Sequence, residues 1–160
     1  MKKGKGTSIR EYRYNHTLKY EDEYLNGKRN GKGKEYSIFG RLQFEGEYLN
    51  GKRNGKGKEY NYEGKLIFEG EYLNGERWNG KEYNYNYNGK LIFEGEYLNG
   101  ERNGKGNEYN NGKLIFSGEY LNGKRNGRGK EYNALDELIF QGEYSKGEKN
   151  SDVFYFSDSD

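Results

Sequence analysis

Pairs of carboxylates two residues apart are the first candidates for chemistry in this chain. Glu45 and Glu47 fall on one face of an extended segment, and the same pair recurs in four copies of a longer phrase. Two carboxyl groups at that separation could hold a cation or act together as acid and base on a sugar. A catalytic dyad is built once, however, and a pair copied at a fixed interval reads as a solvated row facing lysines on neighbouring strands. His16 is the only histidine, and it falls where later copies carry a turn residue, so it reads as solvated and not as a general base. The phrase GKRNGKG is glycine-rich and basic, but it lacks the Lys-Ser/Thr ending and the strand-to-helix setting of a phosphate loop. There is no cysteine to form a disulfide or a thiolate metal site. The sequence therefore predicts no catalytic residue, no metal site and no cofactor.

What positions these residues is a repeat. Residues 64–75 and 89–100 both read GKLIFEGEYLNG. The aromatic that opens each FEGEY-like phrase is Tyr20, Phe44, Phe68, Phe93, Phe116 and Phe140, at spacings of 24, 24, 25, 23 and 24 residues. A fixed period of this length means stacked copies of one supersecondary unit, each burying a face its neighbour leaves bare. The first phrase, YEDEYLNG, and the last, FQGEYSKG, depart from the others as terminal caps do. Arg10 to Tyr20 (REYRYNHTLKY) lines up with KEYNYEGKLIF, the back half of a unit. The chain accordingly divides into a partial repeat over residues 1–19, six repeats over 20–150, and a capping strand with an acidic tail over 151–160.

With 30% hydrophobic and 34% charged residues, a chain without such a repeat would read as disordered. Eighteen Tyr and eight Phe at fixed phases supply large, rigid, amphipathic area instead. A net charge of +2, from 28 basic and 26 acidic residues, gives no reason to expect a nucleic-acid partner. No apolar run approaches the roughly 20 residues that cross a bilayer as a helix. The opening MKKGKGTSIREYRY has no apolar stretch behind its basic start. A cytoplasmic location is expected, peripheral to a membrane or the cytoskeleton at most, which leaves the Asn15 sequon inert.

Within one copy, LIFEGEYL has a period of two. Leu66, Phe68, Gly70 and Tyr72 point one way; Ile67, Glu69, Glu71 and Leu73 point the other. Glycine inside a strand offers nothing to pack, so a ring is expected over each of Gly46, Gly70, Gly95, Gly118 and Gly142. Asn-Gly pairs mark tight hairpin turns, and the density of Gly and Asn excludes helix. The predicted fold is all-β: a single elongated, twisted antiparallel sheet of stacked β-hairpin repeats, about twelve strands if each copy gives two, with a concave aromatic groove or a Tyr-studded face.

The phrase FEGEYLNGKRNGKG, from Phe44 to Gly57, resembles the MORN repeat (membrane occupation and recognition nexus). GKGKEYNYEGKLIFEGEYLNG, from Gly55 to Gly75, is also similar to the repeat of YwqK-type bacterial antitoxins. The MORN resemblance implies a hairpin array used as a binding or scaffolding surface, without catalysis. The antitoxin resemblance implies neutralisation of a partner protein as an alternative. The family's usual Trp at the second aromatic is Tyr in every copy here: Tyr24, Tyr48, Tyr72, Tyr97, Tyr120 and Tyr144. The third copy reads GERWNGKEYNY, with Trp78 inserted and the second Gly of GKG lost.

Two candidate surfaces follow. The groove tyrosines Tyr48, Tyr72, Tyr97 and Tyr120, with Trp78 as an accessory anchor, are expected to receive a peptide or helix of another protein. Alternatively, Lys28, Arg29, Lys52, Arg53, Lys124 and Arg125 align at one phase and could hold anionic phospholipid headgroups, although Glu76 and Glu101 interrupt the stripe. Val153–Phe156 is expected to cap the open sheet edge or to serve as an edge for self-association.

Overall fold

In a computed structural model of the chain, residues 6–150 are described. Thirteen strands follow one another: β1 (Thr7–Tyr12), β2 (Leu18–Leu25), β3 (Lys28–Tyr36), β4 (Leu42–Leu49), β5 (Lys52–Tyr60), β6 (Leu66–Leu73), β7 (Glu76–Tyr85), β8 (Leu91–Leu98), β9 (Glu101–Asn110), β10 (Lys113–Leu121), β11 (Lys124–Tyr132), β12 (Leu138–Ser145) and β13 (Glu148–Lys149). They form one antiparallel sheet in chain order. The count exceeds the expected two per copy by one, through β1, which precedes the six copies; the two-residue β13 is the second strand of the sixth. By contacts the chain separates into two compact units, Met1–Gly80 and Lys81–Asp160, a division the repeat does not announce. The strand expected at Val153–Phe156 lies outside the described residues.

Even-numbered strands carry the FEGEYL phrase and odd-numbered ones the KRNGKGKEY phrase. Each even strand turns into the next odd strand through two residues, as at Asn50 (φ 51) and Gly51 (φ 86). Both are left-handed, as a type I′ turn requires, and Asn and Gly are the residues that adopt this most readily. The return connection is longer than the expected tight turn. In unit one, Asn61 opens a five-residue loop, and its side-chain Oδ1 accepts the Glu63 and Lys65 amides at 3.0 and 2.9 Å. Strand β1 pairs with β2 in the register that β3 uses with β4: Glu11 faces Tyr20 as Glu35 faces Phe44. Strand β1 thus stands beside β2 as β3 stands beside β4.

The two irregular spacings have separate causes. The spacing of 23 arises because Asn111 (φ 50) and Gly112 (φ 82) form a two-residue turn between β9 and β10 in place of the five-residue loop, while Asn110 and Lys113 join the strands. The spacing of 25 arises in β7. Gly70 packs against Gly80 there, as Gly46 packs against Gly57 in β4 and β5. The second Gly is therefore kept, which corrects the expectation that it is lost. One residue is missing between Arg77 and Gly80, and two extra residues precede the next loop.

One face of the sheet holds the core. Phe44, Phe68 and Phe116 are fully buried, and Tyr48, Tyr72, Phe93, Tyr120 and Tyr144 nearly so. Rings meet edge to face, at 5.1 Å between the Phe44 and Tyr72 centroids in unit one and 5.3 Å between Phe116 and Tyr144 in unit two. This is the preferred aromatic geometry. The glycines make room for it. A Cβ on Gly46 or on Gly57 would lie 2.7 Å from the Phe44 ring, so one ring covers a glycine of its own strand and one of its neighbour.

Candidate partner-binding faces

Arginine side chains close the ring face. The Arg53 guanidinium carbon lies 4.0 Å from the Phe44 centroid, and in unit two Arg102 and Arg125 lie 3.6 and 3.9 Å from Phe93 and Phe116. Arg53, Arg77 and Arg125 are each held by a glutamate that also takes a tyrosine hydroxyl, and Arg102 is held by Glu82. Glu35 accepts the Tyr48 hydroxyl at 2.5 Å and the Arg53 guanidinium at 2.7 Å. Glu59 does the same for Tyr72 at 2.9 Å and Arg77 at 3.0 Å. In unit two Glu108 accepts from Tyr120 and, at 2.6 Å, from Arg125. Burial pushes the Glu35 and Glu108 carboxyls up, but the arginine and tyrosine donors outweigh it and hold both below the ordinary carboxylate value. Burial and the same glutamates push the Tyr48, Tyr72 and Tyr120 hydroxyls far up.

These positions correct the aromatic-groove expectation. Tyr48, Tyr72 and Tyr120 are core residues with engaged hydroxyls, and a peptide could reach them only by stripping away the arginine layer. Tyr97 is half-buried, and Trp78 alone of the five is exposed, at 38%. The basic stripe is corrected in the same way. Arg29 sits 2.8 Å from Asp22 and 3.5 Å from the Tyr20 centroid, so Arg29, Arg53 and Arg125 are turned onto the rings. Lys28, Lys52 and Lys124 remain exposed at their turns. The inward turn was hidden because Arg beside Lys in a polar turn reads as solubilising, and only the strand register places it over a Phe.

The opposite face carries the carboxylate pairs. In unit one a groove of about 670 Å³ is lined by Glu21 and Glu23, Lys32 and Lys34, Glu45 and Glu47, Lys56 and Lys58, and Glu69 and Glu71. Gly33, Gly46, Gly57 and Gly70 form its floor. Acidic and basic pairs thus alternate strand by strand across β2 to β6. Lys58 pairs with Glu69 at 3.2 Å, Tyr60 donates to Glu45 at 2.8 Å, and Glu47 accepts the Lys56 backbone amide at 2.8 Å. In unit two the corresponding groove, about 580 Å³, has Asn107 and Ser117 where unit one has Lys and Glu. Lysines opposite the acidic pairs are what the sequence leads one to expect, and Lys58 beside Glu69 meets that expectation; the pairing of the lysines themselves, Lys56 with Lys58 two residues apart, is the feature it left unnamed.

An open antiparallel sheet of hairpins, with rings locked on one face and charge rows on the other, defines a repeat module. The family model of the MORN repeat matches residues 23–37, 44–65, 93–113 and 116–134. The chain is a member of the MORN repeat family, a non-catalytic repeat family found in proteins that interact with other proteins or with membranes. No curated protein matches the chain.

Proposed function

We propose that this chain is a non-catalytic partner-binding module whose contact surface is the charged, glycine-floored face of unit one. The observation that carries this reading is the locking of the rings beneath arginine, which leaves the alternating Glu and Lys rows as the face open to a partner. Neighbouring strands lie about 4.8 Å apart. A partner that uses every row therefore needs charges of alternating sign at that interval. An α-helix supplies them at i and i+3 or i+4, since one turn rises about 5.4 Å. An extended segment returns to the same face only every ~6.6 Å and falls out of step. Affinity capture from cell lysate tests the reading, with Lys34→Glu/Lys58→Glu compared against a folded Tyr14→Ser control. Loss of a captured protein in the first variant alone supports the charged face; its retention there sinks it.

A second reading rests on Lys28, Lys52 and Lys124, which stay exposed at equivalent turns. Three such cations contribute about 1 kcal/mol each near an anionic surface. Vesicles containing phosphatidylserine decide this one: binding must fall with salt and with Lys→Gln at these positions.

A further inference from the structure

The type I′ turns at Asn50, Asn111 and Asn122 have nearly the same backbone geometry. Asn φ is 51, 50 and 50, and the following Gly φ is 86, 82 and 78. All three turns are exposed. They differ in what the glycine nitrogen does. The Gly51 amide donates to the Arg29 carbonyl at 2.9 Å, and the Gly123 amide to the Arg102 carbonyl at 3.0 Å. In each case the acceptor belongs to the odd strand of the preceding copy, so stacking of like turns along one sheet edge ties down the nitrogen. The Asn111 turn stands on the other edge, where it replaces a five-residue loop. The loops nearest it in sequence on that edge, Asn86–Lys90 and Asn133–Glu137, close on themselves. Among the described residues none accepts the Gly112 amide.

We infer that Asn111 is a site of spontaneous deamidation and isoaspartate formation in the folded protein, from which Asn50 and Asn122 are shielded. The Gly112 nitrogen attacks the Asn111 side-chain Cγ. The new C–N bond closes a succinimide as the Cγ–Nδ2 bond breaks; hydroxide takes the Gly112 amide proton, and water returns a proton to the leaving nitrogen, which departs as ammonia. Water then opens the ring at either carbonyl, leaving Asp or isoaspartate. Attack requires a nitrogen released from its acceptor, which Gly51 and Gly123 reach only by breaking a hydrogen bond. Isoaspartate places an extra methylene in a two-residue turn, where β9 and β10 pair Asn110 with Lys113.

The test compares each site with itself. The folded chain and the same chain unfolded in urea are incubated in mildly alkaline buffer, digested and read by mass spectrometry for replacement of the side-chain amide by a carboxyl. An isoaspartyl methyltransferase reports the isomer. Folding should slow Asn50 and Asn122 by on the order of tenfold, the scale of one hydrogen bond lost on the way to the transition state. Asn111 should be slowed by less than about twofold. Equal slowing at all three sites, or greater slowing at Asn111, overturns the inference. The urea arm removes differences in neighbouring residues, since Asn111 follows Asn110 whereas Asn50 and Asn122 follow Leu.

Discussion

Asp22 stands where the other copies carry glycine, and its side chain is buried, at 1% exposure. Its Oδ1 accepts the Lys34 amide at 3.1 Å; its Oδ2 lies 2.8 Å from the Arg29 Nε but outside good hydrogen-bond direction. Burial pushes the carboxyl from 3.8 up to about 6, against the pull of Arg29 and the Lys34 amide. The native state then holds a proton that the unfolded chain releases between those two values. Stability from this group is complete below its ordinary value and is lost as pH rises through about 6, a loss of up to about 3 kcal/mol. Glu35 and Glu108, held low, act oppositely and lose their contribution as pH falls below the ordinary glutamate value. Asp22→Asn should therefore gain stability relative to the parent between about pH 4 and pH 8, read by urea unfolding at both. A difference between the two proteins that does not change with pH would refute the assignment. Gly57 offers a second test at this scale. Its φ is ordinary, so only space is at issue, and Gly57→Ala should destabilise by about 1–3 kcal/mol by pushing on the Phe44 ring. The glycine hole was legible in the sequence, because a strand glycine repeated at one phase needs a ring to fill it. The buried carboxyl was not, because an Asp between two Glu reads as solvent-facing until Arg29 is brought onto it.

The hairpin is the element that the acidic pairs hold together. In β4 and β5 the register shifts between Gly46 and Tyr48, and the left-handed Gly55 (φ 99) makes the bulge. Glu47 accepts the Lys56 amide freed there at 2.8 Å; Glu23 and Lys32 repeat the contact at 3.0 Å, as do Glu119 and Arg128 in unit two at 2.8 Å. The second glutamate of each pair is thus a staple for the bulge, a role spacing alone did not disclose. Unit one contains its own control. Strand β7 is one residue short at this point, and Glu71 makes no such bond among the described residues. Glu47→Ala should cost about 1–2 kcal/mol, with Glu71→Ala close to neutral in the same urea titration. Equal effects would mean that the carboxylates act only through general surface charge. Period, strand direction and the Asn-Gly turns were legible because they depend on neighbours in sequence. Burial of Tyr48 and Tyr72 was not, because the covering Arg and Glu come from separate strands whose register only the bulges set.

At the scale of the whole molecule, the core of each unit is a row of rings in which a Phe touches the Tyr of its own copy and that of the next. Phe44 meets Tyr48 and Tyr72 in unit one; Phe116 meets Tyr120 and Tyr144 in unit two. In an array of this kind stability is close to a sum over copies and their nearest-neighbour interfaces, so damage stays near its origin. Phe44→Ala removes a fully buried ring and should cost about 3–5 kcal/mol locally. In hydrogen exchange read by mass spectrometry, amides of β3 to β6 should lose protection while those of β10 to β12 keep theirs. Phe116→Ala should reverse the pattern. A globular domain with one shared core would instead lose protection throughout with either substitution, because its elements unfold together. Uniform loss from Phe44→Ala would therefore show cooperativity that nearest-neighbour contacts cannot supply, and would require a long-range coupling that the ring ladder does not contain.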